Sequence, residues 1–221
     1  TGMTPDRVAA SIASFDFVYL SELSRRKLVA PSVRSSDSRV HQAQTGGYVM
    51  APRVGLHENV WVFDFKSLYP SIMRTFNIDP LARARAHSSV DTNTLIELAD
   101  GTTFMRDDAV LPDLLAGLFA ERQSAKERGD GVASQAIKIL MNSFYGVLGT
   151  PACRFYDPKL ANAITGLGKL LLLWGREWFE QRGFTVLYGD TDSLFVAAGD
   201  EDAERAMGTG RELVHAVNLD L

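Results

Sequence analysis

Apolar positions along the chain follow two rhythms, and the places where one gives way to the other outline its elements. Near the start Val8, Ile12, Phe15 and the Val18-Tyr19 pair recur at helical spacing, which predicts a helix over 1–27. Thr4 and Pro5 supply a cap and a first-turn proline for it. Residues 31–44 are polar, with serines at Ser32, Ser35, Ser36 and Ser38, and read as a loop. The run at 59–65 is almost continuously apolar, which predicts a strand buried on both faces and closed by Asp64. A short helix over 70–76 follows. Leu95-Ile96-Glu97-Leu98 and Thr103-Phe104-Met105-Arg106, joined through Asp100-Gly101, predict a hairpin with no visible chemistry.

Residues 111–128 and 132–145 read as two helices, the first capped by Pro112-Asp113. The short Gly129-Asp130-Gly131 break between them makes the pair antiparallel. A long helix over 158–182 carries Leu160, Ile164, Leu167, Leu171, Trp174 and Trp178 as core positions and stops at Gly183. Two β-rich runs, 184–188 and 193–197, then flank a tight turn. Residues 201–221 form an amphipathic helix interrupted by Gly208 and Gly210. Strands in hairpins with helices set around them predict an α+β fold. The chain opens on a helix and stops without an evident cap, so it is expected to be a segment of something larger.

Composition narrows the class. Hydrophobic residues at 46% with 23% charged suit a globular protein that buries a sizeable core. The net charge of -4 means that any polyanion must be met by a local patch. Cys153 is the only cysteine, which excludes an internal disulfide and suits a reducing, cytoplasmic setting. No secretory or membrane-spanning pattern is visible. His41, His57, His87 and His215 have no ligand-like spacing.

The candidate chemistry lies at four places. On strand-like backbone Asp190 and Asp192 point the same way, and two crowded carboxylates need a cation or a proton between them. The alternative is an ordinary acidic turn. Asp64 sits where a strand gives way to a helix, a position for a reactive group or for a simple cap. The amides of Ser67, Leu68 and Tyr69 near that helix start suit a phosphate. Arg122 and Lys126, and again Lys138 and Asn142, are four apart and share a face. They either converge on a polyanion or form a solvated charged surface. Gly46-Gly47 admits a close backbone approach or is a plain turn. Phosphoryl transfer needs a polyanion clamp together with metal ions bridging the attacking and leaving oxygens. Mg²⁺ takes few carboxylates, so Asp64 and Asp192 suffice as shared ligands, while Arg122, Lys126 and Lys138 would neutralise a triphosphate.

Three stretches carry a family resemblance. DFKSLYPSI at 64–72 resembles the first polymerase motif of family B DNA polymerases, D-x-x-S-L-Y-P-S-I. KILMNSFYG at 138–146 resembles the second, K-x-x-x-N-S-x-Y-G, and YGDTDS at 188–193 the third. They stand in family order, and the wording of Gly46-Gly47-Tyr48-Val49-Met50 and of 145–150 looks nearest to the bacterial DNA polymerase II group. The resemblance implies a polymerase palm, an antiparallel sheet backed by helices, with an inserted helical-hairpin fingers region. It implies a lead-in helix and linker at 1–45, palm at 46–106, fingers at 107–146 and palm again at 147–221.

The same resemblance implies roles. Asp64 and Asp192 would hold two Mg²⁺ ions with the Phe65 carbonyl, Asp190 would be acidic support, and Lys138 would join these acids as a catalytic group. Ser67, Leu68, Tyr69, Arg122, Lys126, Lys138 and Asn142 would bind the dNTP, Tyr69 excluding a 2′-hydroxyl. Gly46, Gly47 and Tyr48 would touch the template strand, and Tyr145 and Gly146 the nascent base pair. The implied activity is DNA-directed DNA synthesis on primer-template DNA, with a sliding clamp as a further partner and the bacterial nucleoid as the place. The family's exonuclease and thumb have no counterpart in the 221 residues, which leaves a nucleotide- or DNA-binding module without catalysis as the alternative. A reverse transcriptase or RNA polymerase is the other rival, and Tyr69 speaks against ribonucleotide use.

Overall fold

The computed structural model describes residues 4, 10–32, 45–89, 91–199 and 202–221. The start expected at Pro5 and the polar loop beyond Ser32 lie outside the described residues. The chain divides into two compact units, one drawn from Thr1–Thr45 and Tyr69–Ile164, the other from Gly46–Leu68 and Thr165–Leu221.

The first unit is mainly helical. Helix α1 (Ser11–Arg25) buries Phe15, Tyr19 and Leu23. Helix α2 (Leu68–Thr75) runs into this unit and is followed by α3 (Pro80–Ala86). The hairpin expected around Asp100-Gly101 is present as β2 (Leu95–Glu97) and β3 (Thr103–Met105), paired antiparallel with Ile96 opposite Phe104. Helices α4 (Leu111–Glu127) and α5 (Gly131–Leu148) form the expected helical hairpin. Gly129 takes φ +72 in the connection, and Asp130 caps α5 by accepting the Ala133 N–H at 2.9 Å. Phe15 stacks on Tyr19 at 5.4 Å and meets Phe144 of α5 edge-on at 5.3 Å, so large aromatic rings fill this core.

One buried carboxylate organises the same unit. Asp79 is 0% exposed. It caps α3 by accepting the Ala82 N–H at 2.9 Å, and it also accepts the Tyr19 hydroxyl at 2.8 Å and the Leu111 N–H at 2.9 Å. The start of α4 is therefore capped from a distance. Asp113, expected to cap it, turns outward and pairs with Arg26 Nη2 at 2.9 Å.

In the second unit β1 (Val60–Asp64), β4 (Val186–Asp190) and β5 (Ser193–Ala197) form an antiparallel sheet in the order β1-β5-β4. Long helix α6 (Pro158–Gln181) and final helix α7 (Ala203–Asp220) supply Leu172, Trp178, Phe179 and Leu213 to a core with Val186, Leu194 and Val196. Gly183, at φ +84, ends α6 as expected. Two expectations fail here. Strand β1 is not buried on both faces: Trp61 and Phe63 pack on the core, whereas Val60 and Val62 are 37% and 57% exposed. Among the described strands β1 lies at an edge, and only the face with the bulky rings meets helices. Helix α7 is not interrupted at its glycines. A Cβ on Gly210 would stand 3.2 Å from Trp61 Nε1, which itself donates to Ala206 O at 3.0 Å. The glycine is there for a close helix–sheet approach.

A further segment joins this sheet. Tyr48 O accepts the Thr191 N–H at 2.9 Å, Met50 N–H donates to Gly189 O at 2.8 Å, and Arg53 N–H donates to Leu187 O at 2.8 Å. Val49 bridges Asp190 antiparallel. Residues 48–53 thus run as a strap beside β4, on the side away from β5.

Candidate active site

Both chain segments that carry the expected metal ligands end at one corner of the second unit. Asp64, the last residue of β1, lies opposite Ser193, the first of β5, and Asp190, the last of β4, lies opposite the same serine. Phe65 N–H donates to Asp192 O at 2.8 Å, which stitches the end of β1 to the turn. Residues far apart in the chain are brought together by strand register, a property that the motif spacing does not contain.

The acids crowd around one hydroxyl. Ser193 Oγ is 3.2 Å from Asp64 Oδ2 and 3.4 Å from Asp192 Oδ1. Burial, and then the charge of Asp64, push the Asp192 carboxyl above its ordinary value, with a smaller push from Asp190. Asp190 does not simply follow strand alternation alongside Asp192. Thr191 takes φ +55, and Asp192 N–H donates back to Asp190 O at 2.6 Å, so the backbone reverses between the two acids. Asp190 Oδ1 accepts the Thr191 hydroxyl at 2.9 Å, and Oδ2 lies 3.4 Å from the Tyr188 hydroxyl.

This donor set fits a hard divalent cation. Carboxylate oxygens are its ordinary ligands, and Asp64 and Asp192 both reach the Ser193 hydroxyl. Among the described residues no group of three or more His, Cys, Asp or Glu forms an all-protein metal cage.

The glycine pair separates into two roles. A Cβ at Gly46 would meet open space, but one at Gly47 would fall far inside contact distance of Thr191 Oγ1, with Thr191 Cγ2 and Cβ at 3.0 and 3.1 Å. The close neighbour of Gly47 is the Thr191 side chain rather than the backbone that the glycine pair was expected to admit. Beside it, Lys169 Nζ lies 4.8 Å from the centre of the Tyr48 ring.

The expected nucleotide-binding residues divide between the units. Ser67 takes φ +53 just before α2, and Leu68, the first residue of that helix, is buried. Tyr69 packs against Tyr145 in the first unit, ring centres 4.6 Å apart, and burial raises the Tyr145 hydroxyl above its ordinary value. On α4 Arg122 is half-buried and Lys126 exposed. On α5 Lys138, Asn142 and Gly146 are exposed, while Ser134, Met141, Phe144 and Leu148 are buried. Helix α5 thus sets an exposed face, on which Val132 and Ile139 also stand, against a packed one.

Sequence reading overlooked four contributors to these arrangements: Ser193 between the acids, Thr191 beneath Gly47, Lys169 over Tyr48, and Asp79. Only Asp79 had a local signal, since Asp followed by Pro is a helix-start pattern.

In the second unit a three-stranded antiparallel sheet bears acids at one corner, and in the first unit a helical hairpin bears cations. Similarity to known proteins gives the family. Residues 9–221 match the family described as DNA polymerase family B. The chain is 42% identical over 218 residues to DNA polymerase II of Escherichia coli, covering 98% of this chain and 28% of that protein. It is 34% identical over 204 residues to DNA polymerase 1 of Pyrococcus abyssi, covering 86% of this chain and 26% of that one. The structure of the family B DNA polymerase from the archaeon Pyrobaculum calidifontis matches with a TM-score of 0.68 at 27% identity, over 94% of this chain and 29% of that chain. The chain belongs to DNA polymerase family B. It spans less than a third of the length of each of these relatives. No helix among the described residues is long and apolar enough to cross a membrane.

Proposed function

We propose that this chain carries the palm and fingers of a DNA-directed DNA polymerase and supplies the groups that add a deoxynucleotide to a primer 3′ end. The observation that carries this reading is that the β1–β5 register places Asp64 opposite Ser193, whose hydroxyl reaches both Asp64 and Asp192. Two divalent ions, held there by Asp64, Asp192 and the Phe65 carbonyl, would lower the charge on the attacking 3′-oxygen and on the leaving pyrophosphate. Asp190 supports the turn and adds negative potential. The cations at Arg122, Lys126 and Lys138, with the Asn142 amide, bind and orient the triphosphate. The fork of Arg122 suits a bidentate contact and each lysine a point charge. The amides at Ser67, Leu68 and Tyr69 take up phosphate oxygens at a helix start. Tyr69, packed on Tyr145, presents a wall to the sugar and rejects a 2′-hydroxyl. Gly46, Gly47 and Tyr48 meet the template strand, and Tyr145 with Gly146 borders the new base pair.

The parts run as palm over 46–106, fingers over 107–146 and palm again over 147–221, with 1–45 as lead-in. The chain spans only 28% of the bacterial relative. The exonuclease, the thumb and a sliding clamp would act from outside these residues, in the bacterial cytoplasm. Grip on the primer-template comes largely from phosphate contacts. The 221 residues alone are therefore expected to bind dNTP and Mg²⁺ while synthesising little, and long primer-extension products from them would overturn that expectation. The assignment itself is tested in the full-length gene product. Asp64→Ala and Asp192→Ala abolish single-nucleotide incorporation while circular dichroism stays that of wild type. Near-normal turnover in either variant would remove the metal assignment.

A further inference from the structure

Gly47 stands where any side chain would strike the acidic turn. We propose that Gly47 is a positioning residue for the carboxylates: its missing side chain lets the strap at 48–53 dock on the turn and hold Thr191, and through Thr191 the carboxylate of Asp190. This rests on the reading of the corner as the metal-binding site.

Three observations support it. A Cβ on Gly47 would overlap Thr191 Oγ1 and crowd Thr191 Cγ2 and Cβ at 3.0 and 3.1 Å, whereas the neighbouring Gly46 has open space. The residue it would strike is under constraint from both sides. Thr191 holds φ +55, a region that a β-branched residue avoids, and its N–H is tied to Tyr48 O at 2.9 Å. Its hydroxyl, the atom a Cβ would meet, is the one that donates to Asp190 Oδ1 at 2.9 Å. One small void on the strap thus governs both the backbone and the side-chain hold on the turn. The packing is tight one step further along as well, since a Cβ at Gly189 would lie 2.5 Å from Met50 Sδ and 3.0 Å from Leu194 Cδ2.

A methyl group at 47 therefore moves the turn by about 1 Å to regain ordinary contact distance. A displacement of that size at a reacting centre costs about a hundredfold in rate. A contact with template DNA alone would give no reason for a side chain at 47 to disturb the cation site in the free protein.

The experiment compares wild type, Gly47→Ala, Thr191→Gly and the double variant, all in the 221-residue chain. Amide hydrogen exchange is followed at Thr191 and Asp192, and Mn²⁺ affinity by water-proton relaxation. Gly47→Ala is expected to speed exchange at Thr191 at least tenfold and to weaken Mn²⁺ binding about tenfold, as the strap lifts away. Thr191→Gly removes every atom that the new methyl group would strike. The double variant then matches Thr191→Gly alone, a non-additive result that general destabilisation does not give. If Gly47→Ala fails to fold, a folded double variant supports the proposal and an unfolded one overturns it. Wild-type exchange at Thr191 in Gly47→Ala, or effects of the two substitutions that simply add, would also overturn it. If wild type binds no Mn²⁺, the reading of the site as a metal centre fails on its own, and the exchange data still decide whether Gly47 sets the turn.

Discussion

Removing the Asp79 carboxylate tests the polar heart of the helical unit. Its Oδ1 accepts from Tyr19 and from Leu111, its Oδ2 from Ala82, and the Tyr19 oxygen in turn accepts the Leu81 N–H at 3.1 Å. Asp79→Ala deletes a helix cap, about 1 kcal/mol. It also leaves a buried hydroxyl and a buried amide without an acceptor, about 1–3 kcal/mol each. Relief from desolvating a carboxylate works the other way, so a net loss of about 3 kcal/mol is expected. With a urea slope of about 2 kcal/mol/M, the unfolding midpoint falls by about 1.5 M, read by far-UV circular dichroism. Asp79→Asn is intermediate. Its amide keeps one oxygen, but its NH₂ must face either the Ala82 N–H or the Leu111 N–H, donor against donor. Burial, the largest influence, holds the Asp79 carboxyl above its ordinary 3.8 although donors at Ala82, Leu111, Tyr19 and Val110 pull it down. A raised native value means that its stabilising share is complete below the unfolded value and is lost as pH rises through the native one. The advantage of wild type over Asp79→Asn should therefore grow on acidification from neutrality toward pH 3.8. An alanine variant within 0.5 kcal/mol of wild type (about a third of a tenfold change in the folding equilibrium), or the opposite pH slope, would refute the reasoning.

Three further outcomes follow from the geometry. Asp64→Asn relieves carboxylate crowding at Ser193, so in chelator it should raise the melting temperature by about 2 °C while weakening Mn²⁺ binding. A lower melting temperature would mean that the acids are not in conflict. Within α7, Gly208→Ala meets open space and should gain up to about 1 kcal/mol of helix propensity. Gly210→Ala must displace Trp61 and should gain nothing, with a change in tryptophan fluorescence; equal gains at both sites would remove the packing argument. In the full-length gene product Tyr69→Ala should raise ribonucleotide incorporation relative to deoxynucleotide at least about tenfold, a 1.4 kcal/mol change in discrimination. An unchanged ratio would separate Tyr69 from sugar selection.

Much of this was legible in the sequence because it is local. The helical hairpin follows from apolar spacing and the Gly129-Asp130-Gly131 break, and the β2–β3 hairpin from Asp100-Gly101. What escaped depends on neighbours distant in the chain. Strand β1 is apolar at four successive positions, yet only the larger rings of Trp61 and Phe63 face inward. An alternation of side-chain size, valine against aromatic, was present where an alternation of polarity was not. Gly208 and Gly210 look alike in a helix, and only the position of Trp61 separates them. The strap along β4 carries no strand signal of its own, because single hydrogen bonds to Leu187, Gly189 and Thr191 hold it rather than a run of β-formers. The motifs singled out Asp64 and Asp192; strand register, which no motif contains, brings Ser193 within reach of both.

A serine hydroxyl carries a single proton. Ser193 can turn it toward Asp64 or toward Asp192, and whichever acid it leaves faces the other across a lone pair. No rotation of that side chain calms both neighbours at once, so the corner is frustrated by arithmetic rather than by poor packing. Three strands hold both acids at that one hydroxyl, and either a proton or a cation would relieve them.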